Sequence, residues 1–388
     1  MRARHAGHRR EPCPPGPTYL RGGHSPRFSV RSSTVTVDER TTNPGGRHEC
    51  RARGAIDDKG QVLYELEAVR GLLRRDGALP VNVKFVVEGE EEVGSPHFEV
   101  LLRRERARLA CDVVVVSDTS MWSLDVPSTC VGMRGLVAFD VELRSATADL
   151  HSGVYGGSVP NPSHHISRLV ASLHDSEGRI AIPGFYEDVR PLSDAERSSF
   201  ARLPFRDAEW MAEAGVRRLE GEAGRSTLER VWSRPTCDVV GIGVGYTGDG
   251  TRGGFKVTFR LVPDQHPERV AASFRSWLAE MVPDGIDARV TPIGAVAPAL
   301  TPVDHPAVGA LTRAIGRVWG TPPLFTREGG SGPEEALGRV LDAPVLFLGV
   351  GLPGDRIHAP NERMVMSQFW KGLLAAGELW RELAATAH

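Results

Sequence analysis

The 388-residue sequence has no run of eighteen apolar residues, so no segment is expected to cross a membrane as a helix. Its start, MRARHAGHRR, is basic but leads into no apolar core, which excludes a secretory signal. Cysteine is scarce. Cys13, Cys50, Cys111, Cys130 and Cys237 are odd in number and lack CxxC spacing, so they read as reduced thiols of a cytoplasmic protein and exclude a cysteine-based zinc site. A glycine-rich P-loop is missing, and so is any strand–GxGxxG–helix unit. The Gly-rich VGIGVGYTGDG (240–250) is followed by no helical pattern, so no nucleotide site is expected there. Strong net charge is also absent: the total is −2.

That small total hides an uneven spread. Residues 1–53 hold eleven Arg and four acids, which leaves the remainder near −9. The same segment has five residues from Leu, Val, Ile and Phe, too few to bury a core of its own. It reads as a disordered or frameshifted leader. A nucleic-acid arm would rest on this leader alone, and the acidic remainder argues against it.

What the chain does contain is VVEGEEEVGS (86–95), with Glu88, Glu90, Glu91 and Glu92 inside five positions. Carboxylates so close repel one another. They belong either to a solvated turn or to a site where a divalent cation reverses the cost of crowding. The surrounding pattern bears on the choice. After Asp57 and Asp58, residues Val62, Leu63, Leu66, Val69 and Leu73 fall on one helical face. A strand is expected over 81–89, a helix over 96–110 and a Val-rich strand over 111–118. Near the C-terminus, strands at 321–326 and 343–351 flank a helix that begins at Pro333, Glu334 and Glu335. Alternating helices and short strands predict an α/β fold with a mainly parallel sheet, in which ligands gather at the carboxyl ends of strands. Glu90–Glu92 and Asp118 lie at such ends, Asp57 at a helix mouth, and His358 just beyond a core strand. This common rim favours the metal. Residues 129–300 read differently, as two helices over alternating strands, an inserted α+β (ferredoxin-like) domain. The expected division is a leader (1–53), a catalytic domain in two parts (54–128 and 301–388) and the insertion (129–300).

RGAIDDKG, VEGEEEVGS, VVSDTSMW, GMRG…DLHSGVYGGSVPNP, FRLVPDQ, TREGGS and RIHAPNE occur in that order. Together they resemble the co-catalytic zinc metallopeptidases, the family of carnosinase-type dipeptidases, carboxypeptidase G, aminoacylase and succinyl-diaminopimelate desuccinylase. The resemblance runs from about residue 53 to the end, and DLHSGVYGG points to the dipeptidase branch. It implies that Asp57 bridges two metals, that Asp118 binds one, and that Glu92 and His358 bind the other. Glu91 resembles the general base. His151 resembles a lid histidine that stabilises the oxyanion in a partner subunit's site, which implies a homodimer and makes the insertion a lid/dimerisation domain. Arg260 resembles a lid arginine for the substrate carboxylate, and Ser331, at a helix start, resembles an anion donor. The implied cofactor is Zn2+, two per subunit in the family, with Mn2+ or Co2+ as alternatives.

The family's remaining metal histidine sits in a GHxD motif ahead of the bridging Asp. Here GGHSPRF places His24 at about that distance, but Pro26 stands where Asp is expected and no apolar strand precedes it. Arg outnumbers Lys by 43 to 4, the mark of GC-rich coding, and out-of-frame reading of such DNA yields Arg, Pro, Gly and His. A frameshifted or truncated N-terminus is the expectation. TGDGTRGGFKV is also shorter than the family's lid segment. The predicted function is metal-dependent hydrolysis of dipeptides, impaired by loss of GHxD, with hydrolysis of N-acyl amino acids or an inactive dimeric remnant as alternatives.

Overall fold

The computed structural model describes residues 48–244 and 252–386. The first part of the chain holds β1 (Glu49–Arg51), α1 (Lys59–Asp76), α2 (Phe98–Arg104), α3 (Arg106–Leu109) and β2 (Val114–Val116). Next come β3 (Ser128–Met133), β4 (Gly135–Arg144), α4 (Ser152–Tyr155), α5 (Pro162–Ala171), α6 (Asp194–Arg202), α7 (Asp207–Ala214) and α8 (Thr227–Trp232). They are followed by β5 (Thr236–Val244), β6 (Arg252–Leu261), α9 (Pro267–Met281), β7 (Asp287–Val296) and β8 (Ala299–Leu300). The chain closes with α10 (Pro306–Trp319), β9 (Leu324–Glu328), α11 (Glu334–Leu341), β10 (Val345–Phe347), β11 (Arg363–Val365) and α12 (Met366–Thr386). The fold is α/β, with mixed sheets rather than a mainly parallel one. β2 pairs with β10 in parallel and β3 with β9 in parallel, while β8 joins β3 and β1 joins β11 antiparallel.

Two hydrophobic cores organise these elements. In the first, Ile56, Tyr64, Leu311, Ile315, Leu346, Leu348, Phe369 and Leu379 pack α1, α10 and α12 against the short strands. The second lies under the antiparallel sheet β5-β6-β4-β7. Period-2 alternation buries Val137, Phe139, Val141 and Leu143 of β4 and leaves Asp140 and Glu142 exposed. The buried row meets Ile166 and Leu169 of α5 and Phe274 and Trp277 of α9. Phe139 stacks on Phe274 with ring centroids 5.0 Å apart, a geometry that adds to the area buried.

Four expectations need correction. First, α1 buries Gln61, Tyr64, Glu65, Ala68 and Leu72, while Leu63, Leu66 and Leu73 are exposed. Helix α12 selects that face: the Tyr64 ring packs edge-on against Phe369, and a Cβ on Gly372 would lie 3.0 Å from it. Second, residues 81–89 form no strand. Among the described residues nothing pairs with them, β2 is bonded only to β10, and Phe85, Val86 and Val87 are exposed. Third, residues 49–51, expected within the leader, form a strand of the fold. β1 pairs with β11, and buried Glu49 bonds Arg363 at 2.6 Å. The expected 96–110 helix is also split, at Glu105, into α2 and α3.

Candidate metal centre

The turn Arg53–Asp57 is built around one buried carboxylate. Glu362 accepts the backbone N–H groups of Gly54, Ile56 and Asp57, each at 3.0 Å, and pairs with Arg53 at 3.3 Å. Burial opposes its charge, but the three backbone donors and Arg53 outweigh that and hold Glu362 below the usual carboxylate range. Asp57 is thereby fixed at the mouth of α1, and the Asp57–Asp58 peptide is cis. Glu91 and Glu92 open a short 3-10 turn that closes at Gly94, whose φ of 86° suits glycine. His358 arrives from the loop after β10, where Arg356, His358 and Asn361 all adopt left-handed φ angles of 57–65°. Non-glycine residues take that conformation at a cost, and they cluster where a side chain must be aimed. Asp355, buried at the head of this loop, accepts Leu352 N–H at 2.8 Å.

These segments bring three ligand atoms together. His358 Nε2 lies 2.8 Å from Asp57 Oδ2 and 2.8 Å from Glu92 Oε1, and the three residues offer donors all within 4.8 Å of one another. One imidazole nitrogen carries either one proton or one lone pair, so it cannot satisfy two carboxylates alone. An N, O, O set with an open side fits zinc. Glu91 and Asp118 lie outside this trio but within its field. Partial burial, then Glu92, Asp57 and Glu88, raise the Glu91 carboxyl. Asp118, though its side chain reaches solvent, is pushed up to about 6 by the protein around it and then by Asp57, Glu91 and Glu92. Asp58 behind them rises to about 9, from burial first and then from Asp118 and Asp57. Glu90 turns away to His97 Nδ1 at 2.9 Å.

The remaining predicted residues sit elsewhere. His151 caps α4, its Nδ1 accepting Gly153 N–H at 3.0 Å, and among the described residues it bonds none of the metal-site groups. Arg260 Nη1 donates to Ser331 Oγ at 3.0 Å. His24 and the GHxD-like segment lie outside the described residues. The sequence reading gave Asp58 and Glu334 no part beyond a helix start and passed over Glu362 and Glu65. RIHAPNE ends on Glu362 itself, but nothing in its spacing says that its carboxylate faces a turn three hundred residues earlier.

Glu65 gives a test of this acid-rich interior. Its side chain is buried, one oxygen accepts from Ser117 Oγ at 2.9 Å and the other is unpartnered. Burial raises it to about 7, against the pull of Ser117. A carboxyl whose folded pKa is raised supports the fold fully below its unfolded value near 4.5 and loses that support as pH rises towards 7. Glu65→Gln should therefore stabilise the metal-free protein at pH 8 by about 3 kcal/mol, at roughly 1.4 kcal/mol per unit, and change little at pH 4.5. Urea titrations at both pH values read this, and an equal effect at each would refute it.

Comparison with known proteins bears on the whole site. The model of "Peptidase family M20/M25/M40" matches residues 34–382. The chain belongs to that family. The match starts at residue 34, well before the boundary near 53 expected from the motifs. Human Beta-Ala-His dipeptidase is 28% identical over 344 residues, 86% of this chain and 68% of the relative. A Cys-Gly metallodipeptidase of Schizosaccharomyces pombe is 28% identical over 373 residues, 93% of this chain and 77% of the relative. Among solved structures, an M20 family metallo-carboxypeptidase from Sulfolobus solfataricus superposes with a TM-score of 0.76 at 29% identity, over 87% of this chain and 78% of the other. By family, then, this chain is a peptidase enzyme.

Proposed function

We propose that the chain is a metal-dependent dipeptidase in which Asp57, Glu92 and His358 hold the cation. The convergence of both carboxylates on one imidazole nitrogen at 2.8 Å carries this reading. When bound, the cation would polarise the scissile carbonyl and acidify a water. Glu91, its carboxyl raised first by partial burial and then by its neighbours, takes the proton from the attacking water and returns it to the leaving amine. Asp118 is the carboxylate available to a second cation, which Asp57 would share. Arg260 and Ser331 bind the substrate's terminal carboxylate. Residues 129–300 act as lid and dimerisation domain, and His151, exposed and bonded to none of its own chain's candidate ligands among the described residues, serves the partner's site. Exposed Val240 and Ile242 on edge strand β5 suit a contact between copies. Free Cys50, Cys111, Cys130 and Cys237 suit a reducing cytoplasm.

Zinc titration followed by a dipeptide and N-acyl amino acid panel tests the reading. The expected result is about one tightly bound zinc per chain, lost in His358→Ala, with weak dipeptide turnover. Among the described residues Asp118 and Asp57 give the second cation no imidazole, and such an oxygen-only site favours zinc poorly. Zinc that binds His358→Ala as tightly as the parent, or turnover confined to N-acyl substrates, would overturn it.

A further inference from the structure

The sheet β5-β6-β4-β7 turns one face to its own core, and from the other face Arg260 approaches the loop between β9 and α11. Leu136 stands opposite Arg260 in the β4–β6 register, and Arg134 is the one-residue link between β3 and β4, two positions before Leu136. From these two places Arg260 Nη1 reaches Ser331 Oγ at 3.0 Å and Arg134 Nε reaches Gly329 O at 3.1 Å. The two guanidiniums are close enough that burial first, and then Arg260, pull Arg134 down to about 10. Among the described residues neither arginine forms an ion pair. Asp238, the carboxylate in their field, is bonded by Thr236 Oγ1 at 2.9 Å. Arg134 Nη1 is buried with no hydrogen-bond partner.

Two adjacent guanidiniums with an unused N–H form a cradle for more than one carboxylate oxygen pair. Resting on the proposed dipeptidase reading, Arg260 and Ser331 take the terminal α-carboxylate, Ser331 still having its own O–H to donate. One α-carboxylate neutralises one guanidinium and leaves Arg134 unpaired. We propose that Arg134 is a specificity residue that binds a side-chain carboxylate, so that the preferred substrates are dipeptides ending in Glu or Asp. Nη1 is closed off in the present conformation, and the three glycines of Gly329–Gly330–Ser331–Gly332 let that loop move aside for the ligand. The alternative role for Arg134 is purely structural, bracing the loop through Gly329 O.

Calorimetry on the full chain, dialysed free of metal so that nothing is hydrolysed, separates the two. The ligands are Gly-Glu, its uncharged isostere Gly-Gln, and Gly-Leu. Gly-Glu should bind about tenfold tighter than Gly-Gln, the margin expected of a charge-assisted over a neutral hydrogen bond. Arg134→Gln should erase that margin and leave Gly-Leu within twofold. Arg134→Lys, which keeps the charge without the fork, should retain part of the margin and covers the case in which Arg134→Gln does not fold. Arg260→Gln should weaken all three ligands alike. Equal binding of Gly-Glu and Gly-Gln, a margin that survives Arg134→Gln, or no binding of any of the three overturns the inference. Turnover of Gly-Leu by the zinc-loaded protein is scored separately. Turnover without the Glu margin refutes the role of Arg134 alone, whereas the margin without turnover refutes the catalytic reading alone.

Discussion

Glu91→Gln should lower dipeptide turnover by about 10²–10⁴-fold, the range general acid–base catalysis supplies, while zinc binding changes little. The side chain lies beside the ligand trio rather than in it, so the amide removes the proton acceptor and leaves Asp57, Glu92 and His358 in place. The pH profile gives a second readout. Partial burial first, and then Glu92, Asp57 and Glu88, raise the Glu91 carboxyl in the metal-free chain; an acid limb of kcat/KM that belongs to Glu91 should vanish from whatever activity Glu91→Gln retains. Parallel loss of zinc and turnover would instead make Glu91 a ligand. Unchanged turnover with intact zinc would remove it from the chemistry altogether.

The roles proposed for Glu91 and Glu92 differ by one residue of spacing, and the crowding of carboxylates that suggests them is legible in EEEVGS. Three adjacent acids on a 3-10 turn point in three directions, and here they go to His97, to the field of the ligand trio and to His358. The β-rich lead-in to this turn was misjudged for a physical reason. Apolar alternation at 81–87 states that the segment is suited to a strand, not that a neighbour stands beside it, and a ladder needs both. The α1 error is of the same kind. Leu63, Leu66 and Leu73 form a fair apolar stripe, but Tyr64 and Ala68 are the residues that α12 covers, and burial is decided by the neighbour. By contrast, β4 was readable because both flanking strands pair along its full length and one face alone is covered. Arg134 and Glu362 were invisible for a third reason: an arginine after GM and a glutamate after PN acquire meaning only from the distant backbone they meet.

Glu362→Ala should cost about 3–5 kcal/mol of stability, the scale for removing one side of a buried charged network, and weaken zinc by about 10–100-fold through loss of support to a ligand. The carboxylate is 2% exposed and accepts from Gly54, Ile56 and Asp57 at once, so its removal leaves three backbone donors unsatisfied around the residue proposed to anchor the cation. Glu362→Gln gives the finer test. Its amide keeps one acceptor oxygen but presents N–H groups where the second oxygen accepted, so either Gly54 or the Ile56–Asp57 pair must face a donor. The stability loss should be smaller than for Ala, while the loss of zinc affinity should stay close to it, because the aim of Asp57 depends on the whole turn. Urea unfolding of the metal-free variants and competitive zinc titration measure the two effects separately. Should Glu362→Ala lose stability yet bind zinc as the parent does, the turn would be a brace for the fold and Asp57 would find its place without it.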